Sequence, residues 1–273
     1  MMPDPPQRPD LRADGTPLGL VPGPGVAALP DGSPKVTWRF LPTVGIVLLG
    51  FMLGSLAAAP LFVLLGDTTD GGASGVSELA QGIVVDLVLL GTTVVWLTSR
   101  HRGWRDALRL LPRARLGLEA LIGAGLGVAV RIVAGIAAAI AIAILAAVTG
   151  DEVAVPEQVT GDLQGFELVV FAVFAVVVAP ITEEFVFRGL FYRSVRDRHG
   201  VAAGAIVSAL LFGLIHYVPG PWPDALALQI TMVITGLGLA LVYERRKTLL
   251  APIVGHAAFN LIAVVVIVSD ALG

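Results

Sequence analysis

The chain has 273 residues, 56% of them hydrophobic and 14% charged, with a mean hydropathy of +0.85. Soluble globular chains average about 45–50% apolar and about 25% charged residues, so an ordinary water-solvated domain is excluded. No cysteine is present, which removes thiol nucleophiles, disulfides and thiolate metal ligands, and the net charge of −3 tells less than the distribution of charge along the chain.

Residues 1–35 hold nine of the eighteen prolines and no apolar periodicity, which predicts a disordered cytoplasmic tail lacking the apolar core of a signal peptide. An all-α fold is expected beyond it: a polytopic transmembrane helix bundle over 36–270, with no separate soluble domain. About seven spans are predicted, at 40–65, 79–99, 116–148, 165–196, 201–218, 225–243 and 249–269. The third and fourth exceed the ~20 residues a crossing needs. Pro180 is placed to kink the fourth, leaving a carbonyl for a neighbouring helix to satisfy.

The loops set an orientation. Lys35 and Arg39 precede the first segment, and Arg100, Arg102, Arg105, Arg109, Arg113 and Arg115 separate the second from the third. Arg193, Arg196 and Arg198 end the fourth, and Arg245, Arg246 and Lys247 follow the sixth. The alternate loops carry Asp67, Asp70, Asp151, Glu152, Glu157, Asp162 and Asp224, with no Lys or Arg. Positive residues stay on the cytoplasmic side, so a multi-pass protein of the cell membrane is expected, its amino terminus inside and its carboxyl terminus outside.

Titratable groups among lipid tails are costly and therefore functional candidates. Six stand out: Asp86, Arg131, Glu183, Glu184, His216 and His256. His101 and His199 lie in basic loops and are expected to be solvated. Glu184 and Arg188 are four residues apart, which stacks opposite charges on one helix face, whereas Glu183 is turned about 100° away without a local partner. The pair reads as structural and Glu183 as the proton-transfer candidate, unless both glutamates merely mark a solvated helix end. His216 has Phe212 one turn earlier on its face, and His256 has Asn260 one turn later, so imidazole and amide should share a polar partner. A hydrogen-bonded core histidine is the ordinary alternative for either ring. At 1.5 Å per residue from the inner ends, Glu183, His216, His256 and Asn260 fall about 10–22 Å deep, within one inner-to-middle layer. Asp86 and Arg131 are reckoned to the outer half and expected to pair with each other.

These residues in this order resemble the CAAX-protease and bacteriocin-processing (CPBP) family of intramembrane glutamic endopeptidases. Three motifs carry the resemblance: E-E-x-x-x-R from Glu183 to Arg188, F-x-x-x-H from Phe212 to His216, and H-x-x-x-N from His256 to Asn260. It covers about residues 165–270, a protease-like core, and leaves the first three spans generic. The family implies an endopeptidase that needs no metal or other cofactor. Glu183 and His216 would activate water, and His256 and Asn260 would hold the oxyanion. Glu184, Arg188 and Phe212 would support them. The partners expected are the lipid bilayer and a membrane-associated protein or peptide substrate, with no nucleic acid. Zinc held by the same glutamate and histidines is a weaker alternative, since no H-E-x-x-H occurs. A non-catalytic immunity or regulatory scaffold is the alternative from another class.

Overall fold

The computed structural model describes residues 29, 34–65, 75–110, 115–155, 163 and 165–272. Nearly all of the predicted tail, and the loop acids Asp67, Asp70, Glu157 and Asp162, lie outside the described residues.

The apolar segments are all helical: α1 (Phe40–Leu64), α2 (Gly75–Arg100), α4 (Leu116–Thr149), α5 (Phe166–His199), α6 (Val201–Ile215), α7 (Trp222–Arg246) and α8 (Leu250–Leu272). A short helix, α3 (Trp104–Leu108), lies in the basic loop between α2 and α4 and was not anticipated from periodicity. Six helices are long and apolar enough to cross a membrane. The seventh, α6, has 15 residues, about 22 Å at 1.5 Å each, against a hydrocarbon core of ~30 Å. It starts at the charged end where α5 stops. The turn is made by Gly200 at φ 90° and ψ 170°, a conformation essentially confined to glycine.

Apolar surface faces outward as lipid requires. Ile132, Ile136, Ile140 and Ile144 form a stripe along α4, each more than half exposed. Without a hydrophobic drive between helices in lipid, close backbone approach supplies the packing. The α4–α8 contact depends on it. A Cβ added at Gly123 would lie 2.5 Å from the Ala251 carbonyl oxygen, and one at Gly127 would collide with the Gly255 carbonyl. α1 packs on α2, α7 lies against α4 and α6, and α5 touches α1, α2, α6 and α8.

The basic end is a folded layer. Arg193 on α5 holds Asp197 at 3.0 Å and donates to the carbonyls of Ala107 and Pro34, both at 2.6 Å. Asp197 in turn accepts the Val36 amide at 2.9 Å. Residues 34–38 are thereby drawn under the bundle, burying Val36 and Trp38. This corrects the expectation for His101, which is not simply solvated. Its Nδ1 shares a hydrogen bond of 2.8 Å with the Thr37 hydroxyl, and its ring meets Trp38 and Trp96 edge-on. His199 is exposed.

Gly127→Ala should force α4 from α8 and destabilise the protein by roughly 1–3 kcal/mol. Gly125→Ala, with nothing within 4 Å of the added Cβ, should cost nothing. Thermal unfolding of the purified variants in detergent distinguishes the two.

Candidate active site

α5 departs from α-helical geometry twice, in π-helical stretches at Phe174–Val178 and Phe185–Tyr192. In the first, the Ala179 amide donates back to the Phe174 carbonyl. The next i→i+5 bond would run from residue 180 to Ala175, but residue 180 is proline and has no N–H. Asn260 on α8 fills the vacancy, its Nδ2 donating to the Ala175 carbonyl at 2.7 Å. The kink expected at Pro180 is thus satisfied from a neighbouring helix, as the bilayer demands.

One turn beyond, Glu184 and Arg188 form the anticipated pair at 2.9 Å, with both side chains fully buried. Arg188 also donates to the Gly236 carbonyl on α7 at 3.0 Å. Its guanidinium lies 4.7 Å from the centre of the Phe212 ring on α6. Glu184 has a second task that spacing did not reveal: its Oε1, already bound to Arg188, also takes a hydrogen bond from His256 Nδ1 at 2.9 Å. A guanidinium is always charged, so Glu184 is its anion and His256 must be the donor.

Glu183 faces the other way, toward both imidazoles. Its Oε2 lies 3.8 Å from His216 Nε2 and 3.9 Å from His256 Nε2, and it is buried without a hydrogen-bond partner. His216 caps α6, and its Nδ1 is 2.7 Å from the Phe212 carbonyl, so Nδ1 carries the hydrogen. With Nδ1 committed in each ring, both present Nε2 toward the Glu183 carboxylate. The three atoms face one another across gaps too long for a hydrogen bond, which suits a bridging proton or small molecule. Phe212 organises it, packed against His216 at 4.5 Å and His256 at 5.8 Å between ring centres.

Glu183, His216 and His256 are brought together; Asn260 is on the same face of α8 but serves Ala175. The expectation of one shared partner for His256 and Asn260 is therefore corrected: their partners are separate, and both are on α5. The expected Asp86–Arg131 pair is also absent among the described residues. α2 packs on α1 and α5, whereas α4 packs on α7 and α8, so the two side chains meet different neighbours. Asp86 interacts electrostatically with Glu183, and its Oδ2 is buried without a hydrogen-bond partner. Arg131 stacks on Phe259 at 4.8 Å, and Phe259 in turn meets His256 edge-on. Depth held the signal for Asp86. Counted from Arg100 it is about 21 Å along α2, and Glu183 counted from His199 is about 24 Å along α5.

Fold and site together define a class: a multi-pass helical membrane protein with carboxylate and imidazole groups gathered among its helices. Residues 165–262 match the sequence model of the family described as Type II CAAX prenyl endopeptidase Rce1-like. All three sequence motifs fall within the matched stretch, and the family that it matches is one of peptidases. The match begins in α5 and leaves α1–α4 outside it. Comparison with curated proteins and with solved structures gives no match.

Asn260→Leu should strand the Ala175 carbonyl and cost about 1–3 kcal/mol. In a Pro180→Ala background, which restores a backbone donor, the same change should cost measurably less. A double-mutant cycle by denaturant or thermal unfolding reads that coupling.

Proposed function

We propose that the chain is an intramembrane endopeptidase that hydrolyses peptide bonds of membrane-associated proteins or peptides, with Glu183 as the group that activates water. One observation carries this reading: two imidazoles whose Nδ1 positions are already committed aim both Nε2 atoms at Glu183 Oε2, at 3.8 and 3.9 Å. Neither gap is a hydrogen bond. A water seated between the three atoms would bridge them, with Glu183 placed to take its proton.

In the proposed reaction, Glu183 takes a proton from that water, aided by His216, and the hydroxide adds to the substrate carbonyl. The oxyanion is met by the amide hydrogen of Asn260 not used on Ala175, and by His256, whose Nε2 carries a proton drawn from solvent before the step and keeps it throughout. The proton on Glu183 then passes to the departing amine as the C–N bond breaks. Glu184 and Arg188 act indirectly, holding His256 by its Nδ1.

Water access is supported by the length of α6. The helix ends at His216, and residues 217–221 run non-helically to α7. Pro219 and Pro221 remove two backbone donors from this stretch, yet its carbonyls still need partners. Irregular backbone at membrane depth persists only where protein buries it or water reaches it. Tyr217, Pro219, Gly220 and Pro221 are exposed, which favours water.

We take the basic helix ends as cytoplasmic, which puts the amino terminus inside, the carboxyl terminus outside, and His216 about 22 Å from the inner surface. No cofactor is needed by this mechanism. The zinc alternative would draw on the same Glu183, His216 and His256 side chains, and chelation distinguishes it from the metal-free mechanism.

Glu183→Gln should lower cleavage by at least about 100-fold while leaving the folded protein intact. Glu184→Gln should instead cost about 3–5 kcal/mol of stability by leaving Arg188 buried without its anion. Membrane-protein termini compared between cells expressing wild type and Glu183→Gln identify the substrate. Identical termini in the two would end the proposal. With that substrate, purified enzyme should survive exhaustive chelation; loss of activity restored by zinc would establish the metal alternative.

A further inference from the structure

α2 meets α5 along one face, and the contacts on that face set the level of each residue. At the outer end, a Cβ added to Gly82 would touch the Phe174 ring at 3.5 Å. Further in, Leu90 packs into the cluster that holds Phe185, and Leu89 into the one that holds Val186. The two helices therefore run side by side in the same direction. One turn outward from Leu89 and Leu90 lies Asp86, and one turn outward from Phe185 and Val186 lies Thr182. Asp86 and Thr182 share a level at this contact, beside Glu183, with which Asp86 interacts electrostatically.

Both side chains are left unmatched. Among the described residues Asp86 forms no ion pair, and its Oδ2 is buried without a hydrogen-bond partner. The fully buried acids are treated otherwise: Glu184 is paired with Arg188, and Asp197 with Arg193 and Arg196. Thr182 adds an independent observation. Its side chain is buried, at 1% exposure, and its hydroxyl oxygen also has no partner. A threonine inside a helix can return its hydroxyl to the carbonyl one turn back. Thr43, Thr93, Thr231 and Thr235 do so here, at 2.8–2.9 Å. Thr182 leaves that bond unmade, with its hydroxyl free for a ligand.

We propose that Asp86 and Thr182 form a subsite for a lysine or arginine side chain of the substrate, next to the bond that is cut. A carboxylate at membrane depth is costly unless something pairs with it, and no arginine of the bundle is free to do so: Arg188 belongs to Glu184 and Arg131 lies on Phe259. An ammonium or guanidinium would donate to Asp86 Oδ2 and to the Thr182 oxygen, and would bring the missing positive charge. This assignment rests on the proteolytic reading above and narrows its substrate class to membrane-associated segments with a basic residue beside the scissile bond. It also gives α2, which lies outside the family match, a part in choosing the substrate.

The test places the full chain in phosphatidylcholine nanodiscs with synthetic single-pass transmembrane peptides. One lysine is moved along the peptide helix, and each peptide has a counterpart with methionine at that position. Mass spectrometry follows cleavage, and fluorescence anisotropy of labelled peptides gives affinity. Wild type should cut the best lysine peptide with a kcat/KM at least about tenfold above its methionine counterpart. Asp86→Asn should bring that ratio close to one, Asp86→Glu should keep most of it, and Thr182→Val should reduce it. A wild type without preference overturns the proposal. So does a preference that persists in Asp86→Asn, even where both rates fall, since Asp86 would then be structural. If wild type cuts no peptide, the affinities decide. Lysine peptides bound at least about tenfold more tightly, with the margin lost in Asp86→Asn, uphold the subsite and leave the peptidase reading unsupported. Equal affinities overturn the subsite as well. Should Asp86→Asn fail to fold, Thr182→Val alone must show the reduced preference.

Discussion

A guanidinium fully removed from water governs the centre of this protein. Arg188 cannot shed its proton, so its burial requires an anion, and Glu184 one turn earlier is that anion. Such a pair is costly to desolvate unless its remaining hydrogen-bonding capacity is used. Here the Gly236 carbonyl, the Phe212 ring and the His256 imidazole take up part of it, from α7, α6 and α8 in turn, while Glu184 Oε2 and Arg188 Nε stay buried without a hydrogen bond. Four helices are therefore indexed to one charge pair. The close approach this needs is visible at Gly236, where an added Cβ would lie 2.9 Å from the Ala209 Cα. The pair also reaches the chemistry. By accepting from His256 Nδ1, Glu184 fixes which nitrogen of that ring faces Glu183, the arrangement by which an outer carboxylate sets the tautomer of a working histidine.

Adjacent glutamates thus acquire opposite duties from their environments. Glu184 has two donors on one oxygen and no exposure, whereas Glu183 has two imidazoles near it and no hydrogen bond to the buried oxygen that faces them. The irregular winding of α5 serves this division. Its wider turns displace side chains relative to a uniform α-helix, and such π stretches occur often at functional sites. The structural debt of the first stretch falls on Asn260, whose bond to Ala175 is what lets proline stand four residues before Glu184.

Much of this was legible in the residues. Apolar runs located every long helix to within a few positions, because bilayer thickness imposes one length on all of them. The i,i+4 spacing of Glu184 and Arg188 pointed to one pair, and of the four residues at a common depth, Glu183, His216 and His256 do converge, while Asn260 binds the Ala175 carbonyl. What escaped was lateral. Depth along a helix follows from counting, but which helix lies beside which does not, and so Asp86 was assigned to Arg131 when α2 in fact packs against α5. The Glu184–His256 bond was invisible for the same reason, joining residues 72 apart whose helices had to be known neighbours. His101 was misjudged because the Thr37–Trp38 stretch that covers it carries no periodic signal.

The same lateral packing explains why α1–α4 matter although the family match begins in α5. Among the described residues, the groups that meet Glu183 from outside the matched segment include Asp86 of α2, and the Phe259 ring behind His256 is covered by Arg131 of α4. α4 also holds α8 at backbone contact through Gly123, Gly127 and Gly255, and α8 carries His256 and Asn260. A displacement of that helix by the width of one methyl group would open the 2.9 Å bond from His256 to Glu184. It would weaken the 2.7 Å bond from Asn260 to Ala175 at the same time. The matched segment supplies Glu183, His216, His256 and Asn260. The preceding helices supply the walls that hold those side chains in place, and a bundle of low-polarity helices achieves this by packing backbone against backbone.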